Sequence, residues 1–373
     1  MSEVPGLIAL LSRLPDPRVE RSKEHELTDL LAIAVCTLLV GGESFYDMED
    51  FGHARRDWLQ TFLRLPGGIP SHDTFNRLFQ ALDPAAFAET FAQWTQGLRQ
   101  RLEREVVALD GKAARRATAA GQSPRHLVSA WATESGLTLG QLQVAEKSNE
   151  ITAVPALLRQ LELAGCIVTA DALHCQRNIA KEITEADADY VLALKGNQGT
   201  VNEEVRAYLD DALARQDPAL ATQTQVDKGH GRLETRRYWQ SDRLEWFADR
   251  EKWAGLRSVG LVEATRQVGE QTTVERRYYL SSLPVDVAAF ARAVRGHWAV
   301  ENQLHWVLDV VFGEDQSRAR TGHAVANLGL LRRLALNLLR RDKTCHRGAK
   351  GKQLNAALKP DYLLRLLTAA QSI

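Results

Sequence analysis

Two stretches of this chain run apolar residues straight into an aspartate, and together they restrict its fold more than any other feature. The first is Val106-Val107-Ala108-Leu109-Asp110, closed by Gly111-Lys112. The second is Cys166-Ile167-Val168-Thr169-Ala170-Asp171. Each is short and rich in β-branched residues, so each reads as a buried strand rather than a helix. A carboxylate at the end of such a strand stands at the rim of a sheet, where α/β folds place their ligands. One aspartate of this kind reads most simply as a turn cap. Two that arrive in the same way are much harder to dismiss as caps.

The order of the neighbouring elements gives the architecture. After the first strand, residues 127–132 and 137–144 predict two more strands joined by Glu134-Ser135-Gly136, an antiparallel meander. A helix over 151–163 follows, with Asn149 or Thr152 as cap and Pro155 in its first turn. Then come the second aspartate strand, a helix over 175–185, a strand over 190–195 and a helix over 201–213. Strands alternating with helices pair in parallel. Three antiparallel strands followed by helix, strand, helix, strand, helix is the order of a ribonuclease-H-like α/β fold, a mixed sheet flanked by helices. In that order the first and fourth strands are neighbours, which sets Asp110 beside Asp171.

The flanking regions read differently. Residues 1–100 carry apolar and aromatic side chains at helical spacing, with a break at Pro66-Gly67-Gly68-Ile69-Pro70 and a helix start at Ser71-His72-Asp73-Thr74. They predict an all-α module of ordinary domain size. The start of its Ser71-to-Arg77 helix is either a plain cap or a place to meet DNA phosphates. Residues 101–340 form the α/β domain, interrupted at about 217–282 by a β-rich insertion with a turn at Lys228-Gly229-His230-Gly231. Residues 341–373 read as a basic, then helical, tail.

Net charge excludes little: 47 acids balance 47 bases. Its distribution says more. From Gln316 to Lys352 there are ten Lys/Arg against one acid, Asp342. A polyanionic partner or a solvated basic surface would explain that excess, and Arg318 and Arg320 open the stretch as candidate DNA contacts. The four cysteines, Cys36, Cys166, Cys175 and Cys345, form no CxxC pair, which argues against a zinc knuckle or a thioredoxin-like site. The longest apolar run, from Leu30 to Val40, has eleven residues and is too short for a bilayer. A cytoplasmic protein with no membrane partner is expected. There is no P-loop, GxSxG elbow or HExxH.

Asp110, Asp171 and a later acid, Glu301, are the candidates for one site. Like charges that close are costly unless a cation lies between them, and Mg²⁺ or Mn²⁺ is the natural occupant. Two such ions can serve both oxygens of an in-line phosphoryl displacement. Lys112 and Lys195 lie just past strand ends on the same rim, and Asn197 and Gln198 add amide donors. Arg232, Arg236 and Arg237 lie at the turn and strand of the insertion, as surface charge or DNA-backbone contacts. His174 is either a phosphate partner or a turn residue. His297 and His305, with Trp298 and Trp306, repeat eight residues apart around Glu301; the histidines read either as zinc ligands, for which no matching partner set is visible, or, more simply, as packed side chains.

These residues resemble the DDE transposases of bacterial insertion sequences, in the Rhs-linked, H-repeat-associated family. The resemblance spans nearly the whole chain: Gly68-Ile69-Pro70-Ser71-His72-Asp73-Thr74-Phe75, Leu109-Asp110-Gly111-Lys112, His126-Leu127-Val128-Ser129-Ala130-Trp131, Glu146-Lys147-Ser148-Asn149-Glu150-Ile151, Leu194-Lys195-Gly196-Asn197-Gln198, His297-Trp298-Ala299-Val300-Glu301-Asn302 and Leu304-His305-Trp306-Val307-Leu308-Asp309-Val310. It implies metal-dependent DNA transposition with Asp110, Asp171 and Glu301 as the acidic triad and two Mg²⁺ (or Mn²⁺) ions per site. It also implies double-stranded DNA partners, terminal inverted repeats and target, and a homodimer in a synaptic complex. Related transposases place Tyr, Arg and Lys around the catalytic Glu where this chain has Val294, His297 and Leu308. The donor role there falls to His297, with Arg295 nearby. A nuclease that cuts without joining, and a catalytically silent DNA-binding remnant, are the rival readings.

Overall fold

The structure is a computed structural model and describes residues 6–19, 23–98, 104–114, 125–144, 150–229 and 232–368. The motif residues 146–149, including the expected cap Asn149, and the turn residues 230–231 lie outside the described residues.

Six helices come first: α1 (Gly6–Leu11), α2 (Leu27–Leu39), α3 (Phe45–Ala54), α4 (Arg56–Leu59), α5 (His72–Ala81) and α6 (Pro84–Leu98). α2 is buried almost all round, as its unbroken apolar run requires. α3 begins at Phe45, because Ser44 and Asp47 form a capping box. Ser71 caps α5, its hydroxyl accepting from the Thr74 amide.

Nine strands then build one sheet: β1 (Val106–Ala113), β2 (His126–Ala132), β3 (Leu137–Val144), β4 (Ile167–Ala170), β5 (Asp189–Leu194), β6 (Ala221–Gly229), β7 (Arg232–Ser241), β8 (Ser258–Val268) and β9 (Gln271–Ser281). The spatial order is β3-β2-β1-β4-β5-β9-β8-β7-β6. β1 to β3 form the expected meander, and β1, β4 and β5 run parallel. Between strands lie α7 (Glu150–Arg159), α8 (Arg177–Glu185) and α9 (Gly199–Ala214). Pro155 stands inside α7, past the first turn where its missing N–H would be harmless. This is the mixed, helix-flanked sheet of the ribonuclease-H-like class. The β-rich region is not a separate body. β9 pairs antiparallel with β5, Leu280 opposite Leu192, so strands β6 to β9 extend the same sheet.

After β9 come α10 (Val287–Val300), a π-helical segment Glu301–His305, α11 (Trp306–Phe312), α12 (Ala324–Arg341), α13 (Ala349–Leu358) and α14 (Pro360–Thr368). α10 lies close on the sheet at two glycines. A Cβ on Gly260 would stand 2.4 Å from the Phe290 ring, and one on Gly296 would stand 3.1 Å from Val106 Cγ1. α12 is the central helix of the other layer. Its Asn327 amide donates to the Phe79 and Leu82 carbonyls at the end of α5, at 2.9 Å each. Its Asn337 accepts from the Thr138 amide at 2.9 Å and donates to the Thr138 carbonyl at 2.8 Å, closing part of edge strand β3. The stretch expected as a tail packs back: α13 against α2 and α12, and α14 against α1.

Much of the basic stretch is internal. Arg332 and Arg333 are 2% and 0% exposed on α12. Lys352 is buried and donates to the Leu339 and Asp342 carbonyls. These three cations serve the core and cannot face a polyanion. Arg318 and Arg320 are exposed.

Candidate functional site

β1 and β4 are parallel, and Leu109 opposite Ala170 is their last shared rung, so Asp110 and Asp171 each follow it. β4 ends there, whereas β1 continues to Ala113 against β2, so Asp110 and Lys112 lie within their strand rather than at or past its end as the sequence suggests. The parallel ladder thus delivers the two aspartates that the sequence motif predicts side by side. Asp110 faces Ser129 across β2.

Glu301 arrives from the other direction. α10 crosses β1, and the small Gly296 allows its close approach. The helix then widens into the π turn Glu301–His305, a distortion often found at functional sites. Glu301 is exposed and His305 is buried. His305 Nε2 lies 2.6 Å from Asp110 Oδ2. One donor atom each from Asp110, Glu301 and His305 falls within 4.8 Å of the others. Two carboxylates and an imidazole converging at that spacing form a donor set suited to a divalent cation.

Asp171 stands outside this group of three. Its Oδ1 caps a short turn, accepting from the Leu173 amide at 3.0 Å, the His174 amide at 3.3 Å and His174 Nδ1 at 2.9 Å. Burial pushes its carboxyl up, but the His174 ring and amide outweigh burial and hold it below the ordinary carboxylate range. The two aspartate sites meet at His297. This ring is buried, contacts Thr169 Oγ1 through Nδ1 at 3.2 Å, and feels both Asp110 and Asp171. Burial lowers its basicity, against the pull of the two acids.

Lys112 is not the free phosphate contact its position at the rim suggested. Its ammonium is caged by Asp309, by Glu314 at 3.2 Å and by Asp315 at 3.4 Å. Glu314 in turn holds the buried Arg333 at 2.7 Å, and Arg333 Nε donates to Ser129 Oγ at 3.1 Å. Burial raises the Glu314 carboxyl, but Arg333, Lys112 and Arg332 override it and bring it down to about 2. This charge network braces the strand that carries Asp110.

The other expected DNA contacts divide. Asn197 donates to the Ala172 carbonyl, and Gln198 to the Cys175 carbonyl at 2.8 Å. Both therefore brace the turn carrying Asp171 and His174. Lys195, beside them, is exposed. His297 is too buried to reach a DNA backbone, and Val294 and Leu308 are core residues. Arg236 is paired with Asp227 and Glu234 at 2.7 Å each, and Arg237 with Glu263 at 3.4 Å. Arg232 and Arg295 do come together. They line a cleft of about 460 Å³ with Lys228, Trp298 and Asn302, beside the turn that carries Glu301. Arg295 also pairs with Asp227 at 3.3 Å.

His305 was the residue that spacing could have found. Glu301 and His305 are four apart, a face-sharing distance on a helix. Glu314 and Arg333 carried no such signal.

Comparison with known proteins identifies the family. The family model "Transposase DDE domain" matches residues 101–338, and a second, "DDE_Tnp_1-associated", matches residues 8–95. The "Putative transposase YncI" of Escherichia coli O157:H7 is 37% identical over 376 residues, 99% of this chain and 96% of that protein. The "H repeat-associated putative transposase YhhI" of Escherichia coli K12 is 35% identical over 377 residues, 99% of each chain. A solved piggyBac transposase synaptic complex with hairpin DNA aligns over 96% of this chain and 79% of its own, with 12% identity and a TM-score of 0.45, too distant to weigh. No helix among the described residues is long and apolar enough to cross a membrane. With both family models matched and relatives of 35% and 37% identity covering 99% of it, this chain belongs to the transposase DDE family, in its H repeat-associated group.

Proposed function

We propose that this protein cuts DNA strands at the ends of an insertion sequence and joins each freed 3′-hydroxyl to target DNA. The observation that carries this reading is the convergence of Asp110 and Glu301 with His305, just past the last rung that β1 shares with β4. Asp110, Asp171 and Glu301 are the proposed catalytic acids, with His305 as an additional donor to Mg²⁺ or Mn²⁺. Bound there, divalent cations would activate the attacking oxygen and stabilise the leaving one, which is the usual role of a metal pair in phosphoryl transfer. The chain's own residues do the positioning. His174 orients Asp171, Asn197 and Gln198 hold the turn beneath it, and the Arg333–Glu314–Lys112 network fixes the strand of Asp110. His297 is buried against Thr169 within the field of both aspartates, and burial, which lowers its basicity, disfavours a charge there that would repel a cation.

Double-stranded DNA is the proposed partner, both the element's terminal repeats and its target. Its path runs over the exposed Lys195, the Arg232–Arg295 cleft, and Arg318 and Arg320. Two chains, one on each end, would form the synaptic homodimer, and the helical module of residues 1–100 is the proposed end-binding part.

The test is a cleavage and joining assay on the DNA flanking the gene, in Mg²⁺ or Mn²⁺. Nicked ends and joined product are expected from the wild type, and neither from Asp110→Ala, Asp171→Ala or Glu301→Ala. Cutting without joined product would leave a nuclease. Binding without cutting would leave a silent DNA-binding remnant.

A further inference from the structure

We propose that a second cleft, between the N-terminal helices and the loop after α11, binds a single unstacked nucleotide. It has a volume of about 630 Å³ and is lined by Tyr46, His72, Asn76, Gln80, Arg318 and Arg320, among others. The reading rests on the chain being a DNA-processing enzyme, and it names a site separate from the acids.

The cleft is built from three parts, each suited to one part of a nucleotide. The first is an aromatic ledge. Tyr46 is 63% exposed, unusually so for a large ring, and it stacks on His72 with centroids 4.1 Å apart and planes 22° from parallel. His72 is locked in place, because its Nδ1 and backbone amide both meet Glu49 Oε2, at 2.6 and 2.9 Å. A fixed aromatic platform takes a base of any sequence on its π-face. The second part is charge. Arg318 and Arg320 are exposed in the loop, and guanidinium groups suit phosphate. Asp73 on the α5 wall and Glu43 beside Gly313 repel phosphate, which leaves the Arg318–Arg320 end of the loop for it. The third is a base-edge reader. Gln80 Nε2 donates to Asn76 Oδ1 at 2.8 Å, and that bond leaves Asn76 Nδ2 as a donor and Gln80 Oε1 as an acceptor.

The cleft lies within reach of the chemistry. Its loop wall starts at Gly313, just past α11, and α11 starts next to His305. Seven helical residues span roughly 10 Å.

The experiment uses the full chain and short DNA strands carrying one 5-iodouracil, moved position by position, with photocross-links mapped by mass spectrometry. A cross-link to Tyr46 or His72 is expected. Tyr46→Phe should retain it. Tyr46→Ala should lose it and weaken strand binding roughly 5- to 150-fold, the span of one stacked base. Since Tyr46 is largely exposed, the Ala variant should melt as the wild type does. Competition identifies the source: unlabelled strand but not dAMP suppresses the cross-link if the nucleotide belongs to DNA, and dAMP suppresses it if a free nucleotide is bound. Absence of any cross-link to Tyr46 or His72 would overturn the site, and so would unchanged binding of strand and dAMP by Tyr46→Ala. The cleavage assay on the same preparations separates the two ideas. Cleavage without cross-link sinks only the nucleotide site, and cross-link without cleavage upholds this site while sinking the transposition reading.

Discussion

Replacing Arg333 by methionine tests whether the buried charge network holds the strand of Asp110. Arg333 is 0% exposed, and its guanidinium meets Glu314 at 2.7 Å, the Gly329 carbonyl at 3.1 Å and Ser129 Oγ at 3.1 Å. Removing one member of a buried pair typically costs about 3–5 kcal/mol, because the other charge remains in a dry site. The titration of Glu314 gives a second figure. Its carboxyl lies at about 2 instead of the ordinary 4.5, a difference worth about 3 kcal/mol. A depressed folded value means that this stability is complete above the unfolded value and lost as pH falls from about 4.5 to about 2. Urea unfolding of wild type, Arg333→Met, Glu314→Gln and the Glu314→Leu/Arg333→Met double variant is the assay. Each single variant should lose about 3–5 kcal/mol at neutral pH, and the apolar double much less than their sum. Wild-type stability should also fall by about 3 kcal/mol more than that of Glu314→Gln between pH 4.5 and 2. Single losses under about 1 kcal/mol that simply add would refute the network.

Four further outcomes follow from the geometry. His305→Ala should raise the Mg²⁺ or Mn²⁺ concentration needed for cleavage by about 10- to 100-fold, partly restored at high Mn²⁺; an unchanged metal titration would remove His305 from the site. Lys112→Met should destabilise the fold by about 3 kcal/mol or more while leaving the salt dependence of DNA binding as it was, since its charge is spent on carboxylates. Lys195→Ala should reverse that pattern, with stability kept and the slope of log affinity against log salt reduced by about 1. Gly260→Ala should push α10 off the sheet at Phe290 and cost about 1–3 kcal/mol, measurable as a lower unfolding midpoint.

What could be read from the sequence was local. The runs ending in Asp110 and Asp171 announce their strands because β-branched residues and a turn suffice to define them, and the alternation of elements makes those strands neighbours. Ser71 signals a helix start because a cap acts within one turn. What escaped depends on partners far along the chain. Lys112 looks free until Asp309 and Glu314, about two hundred residues later, surround it. Arg332 and Arg333 count as surface charge until α12 is buried with Glu314 beside it. His305 reads as a packed residue among its sequence neighbours, whereas its contact with Asp110 needs the π turn and the close approach at Gly296. The pairing of β9 with β5 was hidden because nothing within either strand names the other.

That pairing has a consequence for how the chain tolerates changes of length. The chain leaves the parallel core after β5 and re-enters it along β9, so everything between is an excursion whose return point is fixed by register. Residues added at the far turn around Gly269 lengthen an exposed hairpin and leave the return point alone. One residue added between Arg277 and Ser281 would turn every side chain of the returning strand to the opposite face. It would also shift the start of α10, and with it the turn that sets Glu301 over Asp110. The tip around Gly269 should therefore accept tags and reporters, whereas the base of β9 should accept none.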